Sequence, residues 1–600
     1  MNTSRTAPAV ISDPDYMFPA FSNGRVLLDK KLGRLPAMGW NSWNAFGSKN
    51  NEELTRAMAD AFVDLGLADL GYKYIVLDDG CYKSERVDGL LSNEPLKFPG
   101  GFKALSDYIH GKELCFGMYN DIGTNLCAGS AVGTCGYEDI DANTYINWGI
   151  DFLKVDNCYY LWDDATFSDE TNAKYSYAPN IRSITVSGKG LKTTLNAVKD
   201  GVLLGTGAIK NDSDYVSNIG TFDGTHGDVS PVGDLWCELA FTMNVSASGE
   251  HSVIVNYASG EEIGTGCWLQ LAVGSADNET RYFDNLLPLT DSTTTFTESE
   301  EIIVSLNEGE NIIRLMNHRR QENPLYSYAA LLDGFNKADP DHDIVLSICE
   351  WGKTQPQNWG YKVGDSWRIL NDITFDVGSD GEPGKAAWSS NYTTSITSQY
   401  NKAVIMDVFA GLDRGWNDPD MLVIGMNGIT NTMNKTHMTM WCMMNSPLML
   451  GLDLRRVKKG DQIWQVIANK DLIALNQDEL GVQAKRIYCS LDNINPDIAY
   501  VANNNRIDIL AKPLDNGDIA LSFINLSDSR DTNGHSVDVG RIIKYIGDKM
   551  IDSDKFGTAA GYYIKNLWSG TKAENNTGIF SVAGIDAYDN VTIRVTPIYK

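Results

Sequence analysis

The sequence predicts an α/β protein: a parallel (β/α)8 barrel, with an inserted β-sandwich and a C-terminal antiparallel β-sandwich. Three observations support this prediction. Short apolar runs ending in polar residues recur along the chain, helix-like segments lie between several of them, and two stretches change to alternating strands.

The apolar runs occur eight times between about residues 32 and 480. They read LPAMGWNSW, YKYIVLDD, CFGMYND, DFLKVDN, IVLSICEW, SWRILNDI, WNDPDML and SPLMLGLDL. Segments 51–70 and 100–112 carry apolar residues at helical spacing between them. Eight strand–helix alternations are typical of a TIM barrel, whose catalytic groups stand at the C-terminal ends of the strands. A doubly wound sheet would give a similar alternation.

The long interval after the fourth run predicts an inserted domain. From Asp156 to Glu350 the gap is 194 residues, and it contains alternating segments such as HSVIVNYASG and EEIIVSLNEGENIIRLMNH. Period-two alternation broken by turn residues favours a β-sandwich. The predicted units are therefore an N-terminal extension, the first barrel part, the inserted sandwich, the second barrel part and the C-terminal sandwich: 1–31, 32–175, 176–325, 326–482 and 483–600.

Composition excludes several classes of protein. The formal net charge of -28 would repel phosphate backbones, so we expect no nucleic-acid partner. The most apolar late stretch is interrupted by Asn445, Pro447 and Asp453, so we expect no membrane span. The first residues lack the pattern of a signal peptide, which predicts a cytoplasmic protein, or a secreted one if a signal peptide was removed.

Metals and cofactors are not indicated for catalysis. Ten cysteines lie without CxxC pairs, and none of the seven histidines stands at a strand end. An all-oxygen magnesium site stays open, as does a structural calcium ion in the inserted domain, although no motif supports the calcium.

Acidic residues accumulate at the predicted strand ends. One such residue can simply cap a helix, but several on one rim cost stability unless function requires them. Two carboxylates facing each other can cleave a glycosidic bond, whereas others, with Lys, Arg and aromatic rings, recognise sugar hydroxyls and ring faces. The same set would suit a divalent metal in phosphoryl or aldol chemistry. The acids are Asp78, Asp79, Asp156, Glu350, Asp372, Asp418 and Asp420.

Several long motifs, in order, resemble glycoside hydrolase family 27, the clan D family of α-galactosidases and α-N-acetylgalactosaminidases. They are MGWNSWNAFG, YIVLDDG, FGMYNDIGTNLCAG, GYEDIDANTYINWGIDFLKVDNCY, CEWG, SWRILNDI and GWNDPDML. The resemblance covers the barrel and the C-terminal sandwich but not the insertion. It implies a retaining mechanism.

The resemblance also implies roles for single residues. Asp156 matches the nucleophile, and Asp372 matches the general acid/base. Asp78 and Asp79 match acceptors for the 4- and 6-hydroxyls, and Lys154 matches a ligand of the 3-hydroxyl. The remaining matches are the platform Trp43, the wall Tyr119, the 2-hydroxyl ligand Arg368, the fifth-strand residues Cys349, Glu350 and Trp351, and the closing residues Asp420 and Met421.

Two of these positions favour one activity within the family. Trp351 would fill the space that an acetamide group needs, and Asp79 leaves room for a hydroxymethyl group at C6. We therefore expect a retaining exo-glycoside hydrolase that releases terminal α-linked D-galactose from oligosaccharides or glycoconjugates by double displacement. The alternatives are an α-N-acetylgalactosaminidase, a β-L-arabinopyranosidase, an isomalto-dextranase, and a non-catalytic carbohydrate-binding protein.

Four further expectations concern the periphery of the site and the insertion. Cys127 and Cys158 match a disulfide of secreted relatives, with two buried thiols as the alternative. In DDGCY, Cys81 and Tyr82 depart from the family pattern at the pocket edge. The insertion weakly resembles a carbohydrate-binding module, whose aromatics would form either a sugar-stacking surface or the sandwich core, and a homo-oligomer stays open. The aromatics are Trp236, Tyr257, Trp268 and Tyr282.

Overall fold

A computed structural model describes most of the chain. The described residues are 32–159, 178–204, 209–211, 214–219, 237–259, 267–275, 278–374, 376–390 and 394–599. The predicted N-terminal extension and Trp236 lie outside these ranges.

The first four predicted runs form parallel strands separated by helices. Each strand is almost wholly buried, as continuous apolar runs between helical layers require. Asn41 and Asn51 cap the first two helices by accepting backbone N–H groups. The elements are β1 (Met38–Asn41), α1 (Ser42–Phe46), α2 (Glu52–Asp64), β2 (Tyr74–Val76), α3 (Gly101–His110), β3 (Cys115–Asp121), α4 (Glu138–Trp148) and β4 (Phe152–Asp156).

The insertion consists of antiparallel strands. They form one sheet in the order β13-β12-β16-β10-β7 and another in the order β14-β11-β5-β9-β8, to which β6 and β15 are attached. The strands are β5 (Asn180–Gly188), β6 (Leu191–Asn196), β7 (Val202–Leu204), β8 (Ile209–Asn211), β9 (Tyr215–Ser217), β10 (Glu238–Val245), β11 (Gly249–Ala258), β12 (Cys267–Ser275), β13 (Asn278–Leu287), β14 (Thr297–Glu298), β15 (Ile302–Leu306) and β16 (Gly309–Met316).

Three predicted aromatic side chains of the insertion are buried in it or pack against its core. Tyr257 is buried in the core between the sheets, and Tyr282 packs against that core. Trp268 is buried and donates its indole N–H to Asp284. Of the two interpretations of these aromatics, the structure favours the core over a sugar-stacking surface, because stacking needs exposed ring faces.

The chain then returns to the parallel sheet. The segment 327–338 carries apolar residues at helical spacing, and the structure extends this helix back to Arg319, with Pro324 inside it although proline is usually found in a first turn. The elements are α5 (Arg319–Ala338), β17 (Val345–Cys349), β18 (Ser366–Arg368), α6 (Ile396–Ala403), β19 (Trp416–Asp418), α7 (Asn431–Met443), β20 (Leu448–Leu450), α8 (Gln462–Ile467) and α9 (Lys470–Asn476).

The eight parallel strands form one curled, TIM-barrel-like sheet. Their order is β19-β18-β17-β4-β3-β2-β1-β20. At the open ends of this order, the segment after β19 meets β20 through a parallel bridge between Leu422 and Leu450, supported by a 2.8 Å hydrogen bond from the N–H of Leu422 to Met449. The C-terminal ends of all eight strands therefore lie at one rim, and the predicted strands are confirmed.

The last part of the chain is an antiparallel sheet domain with its own apolar core. The segment SVDVGRII reads as a strand in sequence, but this prediction is wrong in its second half. Asp538 accepts the N–H of Arg541 and begins a helix there. The elements are β21 (Lys485–Cys489), β22 (Ile507–Pro513), β23 (Ile519–Asn525), β24 (His535–Asp538), α10 (Val539–Ile546), α11 (Ser553–Gly557), β25 (Gly561–Asn566), β26 (Lys572–Asn575), β27 (Ile579–Val582) and β28 (Asn590–Ile598).

A membrane-spanning helix is not found: within the described ranges, every helix is too short or too polar to cross a bilayer.

Candidate active site

The rim carries most of the predicted site residues in direct contact with one another. Asp156 ends β4, and its Oδ2 accepts a hydrogen bond from the hydroxyl of Tyr119 over 2.9 Å. Nζ of Lys154 lies 4.0 Å from Oδ1 of the same carboxylate. Burial raises the pKa of Asp156 to about 6, although the positive charge of Lys154 opposes the shift.

Lys154 also ties β4 to β2. Its Nζ donates to Oδ2 of Asp78 over 2.9 Å. The same oxygen accepts the side-chain amide of Asn41 over 2.8 Å, and Oδ1 of Asn41 accepts the backbone N–H of Trp43. Burial alone would lower the pKa of Lys154, but the neighbouring carboxylates raise it above its ordinary value, so this side chain is a fixed cation.

Asp79, which follows Asp78 in the chain, is held by backbone N–H groups. Oδ1 of Asp79 accepts the N–H of Gly80, and its Oδ2 accepts the N–H of Ala128 from the loop after β3. Burial raises the pKa of Asp79 to about 6, and the negative charge of Asp78 adds to the shift. This carboxylate therefore joins two loops of the rim.

A second cation organises the opposite side of the rim. The guanidinium of Arg368 donates to Oδ1 of Asp372 over 3.0 Å and lies 2.8 Å from Oδ2 of Asp420. The backbone N–H of Ile373 donates to that same Asp420 oxygen. Burial raises the pKa of Asp372, whereas the charge of Arg368 opposes the rise and that of Asp420 adds to it. Asp372 is more exposed than Asp156, with 27% of its side chain accessible.

A small cavity lined by both polar and apolar side chains lies beside these groups. Asp418, at the end of β19, lines it, and its Oδ1 accepts the N–H of Asp420 over 2.8 Å. That bond holds Asp420 in a left-handed conformation, with φ 74°, which aims its carboxylate at Arg368. Burial raises the pKa of Asp418 to about 6. The cavity is lined by Asn41, Phe152, Lys154, Ser347, Arg368, Asp418, Asp420, Met421 and Met449.

Apolar and aromatic side chains complete the walls. Trp43 packs on a cluster that includes the buried Met421 and Met449. Tyr119 is fully buried, and its hydroxyl donates to Asp156. Tyr82 points away from the rim: its hydroxyl donates to the carbonyl of Tyr119, so the departure in DDGCY places an aromatic ring in the core behind that wall.

The end of β17 and the loop after it bring two of the three predicted residues to the side of Asp156. Cys349 lies opposite Asp156 in the strand register and packs with Trp351 and Cys158. Glu350 behaves differently, since its carboxylate accepts the N–H and the hydroxyl of Thr354 and is completely buried. Its carboxylate therefore closes a turn, as a helix-capping acid would, rather than lining the cavity.

Cys127 and Cys158 form a disulfide beside Asp156. Sγ of Cys127 lies 3.3 Å from Oδ2 of Asp156. Within the described part of the chain, the group with metal-ligand spacing is Asp121 with these two cysteines, and disulfide bonding removes both thiolates as ligands.

Sequence reasoning missed several residues of this site. Asn41, Ser347 and Met449 line the cavity, although none was a candidate. Each lies on or beside a barrel strand whose alternate side chains point inward, so counting residues back from each strand end would have found them. Asp121, at the end of β3, ended a predicted run without being assigned a role.

The rim combines two carboxylates in different environments, two fixed cations and further acids that can accept hydrogen bonds from hydroxyl groups. This combination is that of a glycosidase. Comparison with known proteins gives the family. The model of the Alpha galactosidase A family matches residues 35–189 and 330–478, and the chain belongs to this family, glycoside hydrolase family 27.

Relatives in sequence agree with this placement, and solved structures share the fold. Alpha-galactosidase A of Cellvibrio japonicus is 25% identical over 95% of this chain and 93% of that protein. The alpha-galactosidase of Cyamopsis tetragonoloba is 27% identical over 85% and 77%. In fold, the chain is similar to alpha-galactosidase I from Mortierella vinacea (TM-score 0.58, 21% identity, 95% and 99% covered) and to a β-L-arabinopyranosidase of the same family from Geobacillus stearothermophilus (0.53, 14%, 94% and 97%).

Proposed function

We propose that this chain is a retaining α-galactosidase whose curled sheet works as a (β/α)8 barrel. The main support is the pairing of environments at the rim: Asp156 is buried beside Lys154, whereas Asp372 is partly exposed beside Arg368. Two carboxylates with separate roles need separate surroundings. The names of the curated relatives support the substrate.

In the proposed first step, an Asp156 oxygen attacks the anomeric carbon while Asp372 gives its proton to the departing glycosidic oxygen. The C–O bond to the aglycone breaks as the glycosyl–Asp156 ester forms. In the second step Asp372, now ionised, removes a proton from water, which attacks the same carbon and releases Asp156. Arg368 stabilises the ionised form of Asp372 between the two steps because it already donates to that carboxylate.

Recognition of galactose is assigned to the opposite wall. Asp78 and Asp79 accept the 4- and 6-hydroxyls, and Lys154, which already contacts Asp78, donates to the 3-hydroxyl. Two acceptors aimed at an axial 4-hydroxyl disfavour glucose, whose equatorial hydroxyl would leave them unpaired. Trp43, Tyr119 and Met421 form the apolar wall against the sugar ring.

At the 2-position we assign contacts to Arg368, Cys349 and Trp351, with Asp420 holding the arginine. The Trp351 ring is buried against Cys158 and Cys349, which supports its assignment to the space that an acetamide would need. Glu350 is left out of the sugar-binding set because its carboxylate is engaged by Thr354.

The test is hydrolysis of a panel of aryl α-galactoside, α-N-acetylgalactosaminide, β-L-arabinopyranoside and α-glucoside, with Asp156→Ala as control. We expect turnover of the α-galactoside and release of α-galactose as the first product, since retention gives that anomer. An inert α-galactoside beside a hydrolysed rival would overturn the substrate assignment. Activity persisting in Asp156→Ala would overturn the mechanism.

A further inference from the structure

The peptide bond between Asn157 and Cys158 is held at both ends by buried charged side chains. Its N–H donates to Oδ2 of Asp121 over 2.7 Å. Its carbonyl oxygen accepts a hydrogen bond from Nζ of Lys353 over 2.9 Å. Both side chains are fully buried. A carboxylate on the N–H and an ammonium on the C=O stabilise the same orientation of this one peptide dipole.

This peptide immediately follows the nucleophile and precedes the disulfide. Asp121 lies opposite Asp156 in the register of β3 and β4. Sγ of Cys127 lies 3.7 Å from Oδ2 of Asp121 and 3.3 Å from Oδ2 of Asp156, so one sulfur atom separates the two carboxylates. Because the held peptide directly follows Asp156 in the chain, we expect its displacement to shift the Asp156 carboxylate.

Asp121 is held by two backbone N–H groups. Its Oδ1 accepts the N–H of Gly123 over 2.6 Å, which adds to the bond from Cys158. Burial raises the pKa of Asp121 well above its ordinary value, and the charge of Asp156 adds to the rise, whereas the two N–H groups and the charge of Lys353 oppose it. The titratable and charged groups around it are Asp156, Lys353, Tyr119 and Tyr328.

We propose that Asp121 and Lys353 act together as positioning residues for Asp156, by holding the Asn157–Cys158 peptide between a carboxyl oxygen and an ammonium. This inference rests on the proposed function and assigns neither residue a contact with substrate.

The first test is Asp121→Asn, which keeps the shape of the side chain but leaves one oxygen for the N–H groups of Gly123 and Cys158. We expect kcat to fall by about tenfold, because the freed peptide shifts and small displacements of a reacting group are costly. We also expect little change in KM, because Asp121 is assigned no contact with substrate. A merely structural role would lower thermal stability and leave kcat at the wild-type value, and that result would overturn the proposal.

The second test compares Lys353→Met with Lys353→Arg. We expect Lys353→Met to lower kcat by about tenfold with little change in KM, and Lys353→Arg to recover part of the loss. The matched control is Lys512→Met: Lys512 is equally buried and donates to Asn445 and to the carbonyl of Val482 at the other end of the barrel strands. If both methionine variants lose only thermal stability, the positioning role is wrong.

Two measurements separate this proposal from the proposed function. The double variant Asp121→Asn/Lys353→Met is expected to lose no more kcat than the worse single variant, because one peptide is held jointly; additive losses would contradict joint action. Crystal structures of the single variants need no substrate, and we expect a displaced Asn157–Cys158 peptide in each. An unmoved peptide in both would overturn the proposal even if the substrate assignment holds.

Discussion

Two buried charge clusters of this protein use the same residue types in opposite ways. At the rim, carboxylates meet two cations, Lys154 and Arg368, and the pKa values of Asp79 and Asp156 rise to about 6 because burial dominates. At the junction with the C-terminal domain, Asp508 lies 3.0 Å from Arg506 and 3.5 Å from Arg486. There burial would raise the pKa of Asp508, but the two arginines lower it below its ordinary value.

This difference in charge balance distinguishes the candidate active site from a structural charge cluster. The junction cluster has counter-charges in excess of its one carboxylate, and Tyr400 and Asn401 of α6 complete its hydrogen bonds to the strand domain. The rim leaves acids incompletely compensated, which costs stability in the empty site and supplies carboxylates that can gain or lose protons near neutrality. Incomplete compensation of buried charge therefore distinguishes the site from a structural ion cluster.

The largest expected difference between the clusters is in activity. Asp156→Asn is expected to lower kcat/KM by roughly 10⁴-fold or more, because no other group attacks the anomeric carbon. Asp508→Asn is expected to change kcat/KM less than about threefold, since its contacts lie at a domain junction. Steady-state kinetics on an aryl α-galactoside measure both, and equal losses would erase the distinction between the clusters.

The parallel sheet was predictable because its strands are buried on both faces and read as apolar runs with polar ends. The rim acids followed from those ends. The direction of a single side chain could not be predicted from the strand ends. Glu350 shares its motif with Cys349 and Trp351, yet a local hydrogen bond to Thr354 turns it away from the cavity. The insertion's aromatics were ambiguous because core and stacking surfaces use the same residue types.

The contacts around the nucleophile could not be read from motifs at all. Lys353 and Asp121 are distant in sequence, and they meet the same peptide only because β17 and β3 both neighbour β4 in the sheet. Asn41 contacts Asp78 for a similar reason, since β1 pairs with β2. Pairing order, rather than composition, decides such contacts.

The second difference is in stability, and its sign reverses between the clusters. Asp508→Ala is expected to lower the free energy of unfolding at pH 7 by about 3–5 kcal/mol, because two arginines remain buried without their carboxylate. Asp156→Asn is expected to preserve or raise it, because an uncompensated acid is removed. Thermal and urea unfolding measure both, with the kinetic variants reused as controls.

The stability contributions of Asp156 and Asp508 are expected to depend on pH in opposite directions. The folded-state pKa of Asp156 lies above 3.8, so its contribution to stability is present below pH 3.8 and lost as pH rises through about 6. The pKa of Asp508 is lowered, so its contribution is present above pH 3.8 and lost as pH falls. The melting temperature of Asp156→Asn should therefore match wild type at low pH and exceed it above about pH 6. The deficit of Asp508→Ala should be full at neutral pH and shrink only as pH falls below 3.8.

A third difference concerns the pH dependence of catalysis. Because Asp156 must be ionised to attack and burial raises its pKa to about 6, kcat/KM is expected to fall about tenfold per pH unit below that value. Asp508→Asn should leave this acid limb unchanged. A limb near pH 4 in the wild-type enzyme would show that the charge of Lys154 outweighs burial at the nucleophile.

The smallest expected effect tests how the rim holds its acids. Asn41 donates to Oδ2 of Asp78 over 2.8 Å and accepts the N–H of Trp43 over 2.9 Å, so it orients one acceptor and one wall of the sugar site. Asn41→Ala is expected to raise KM for an aryl α-galactoside by about tenfold, the cost of one hydrogen bond to a charged group, with a smaller change in kcat. Asn44→Ala is the matched control, because Asn44 is buried nearby and lines a different cavity. Equal rises in KM for both variants would assign the effect to helix α1 as a whole and not to the bond with Asp78.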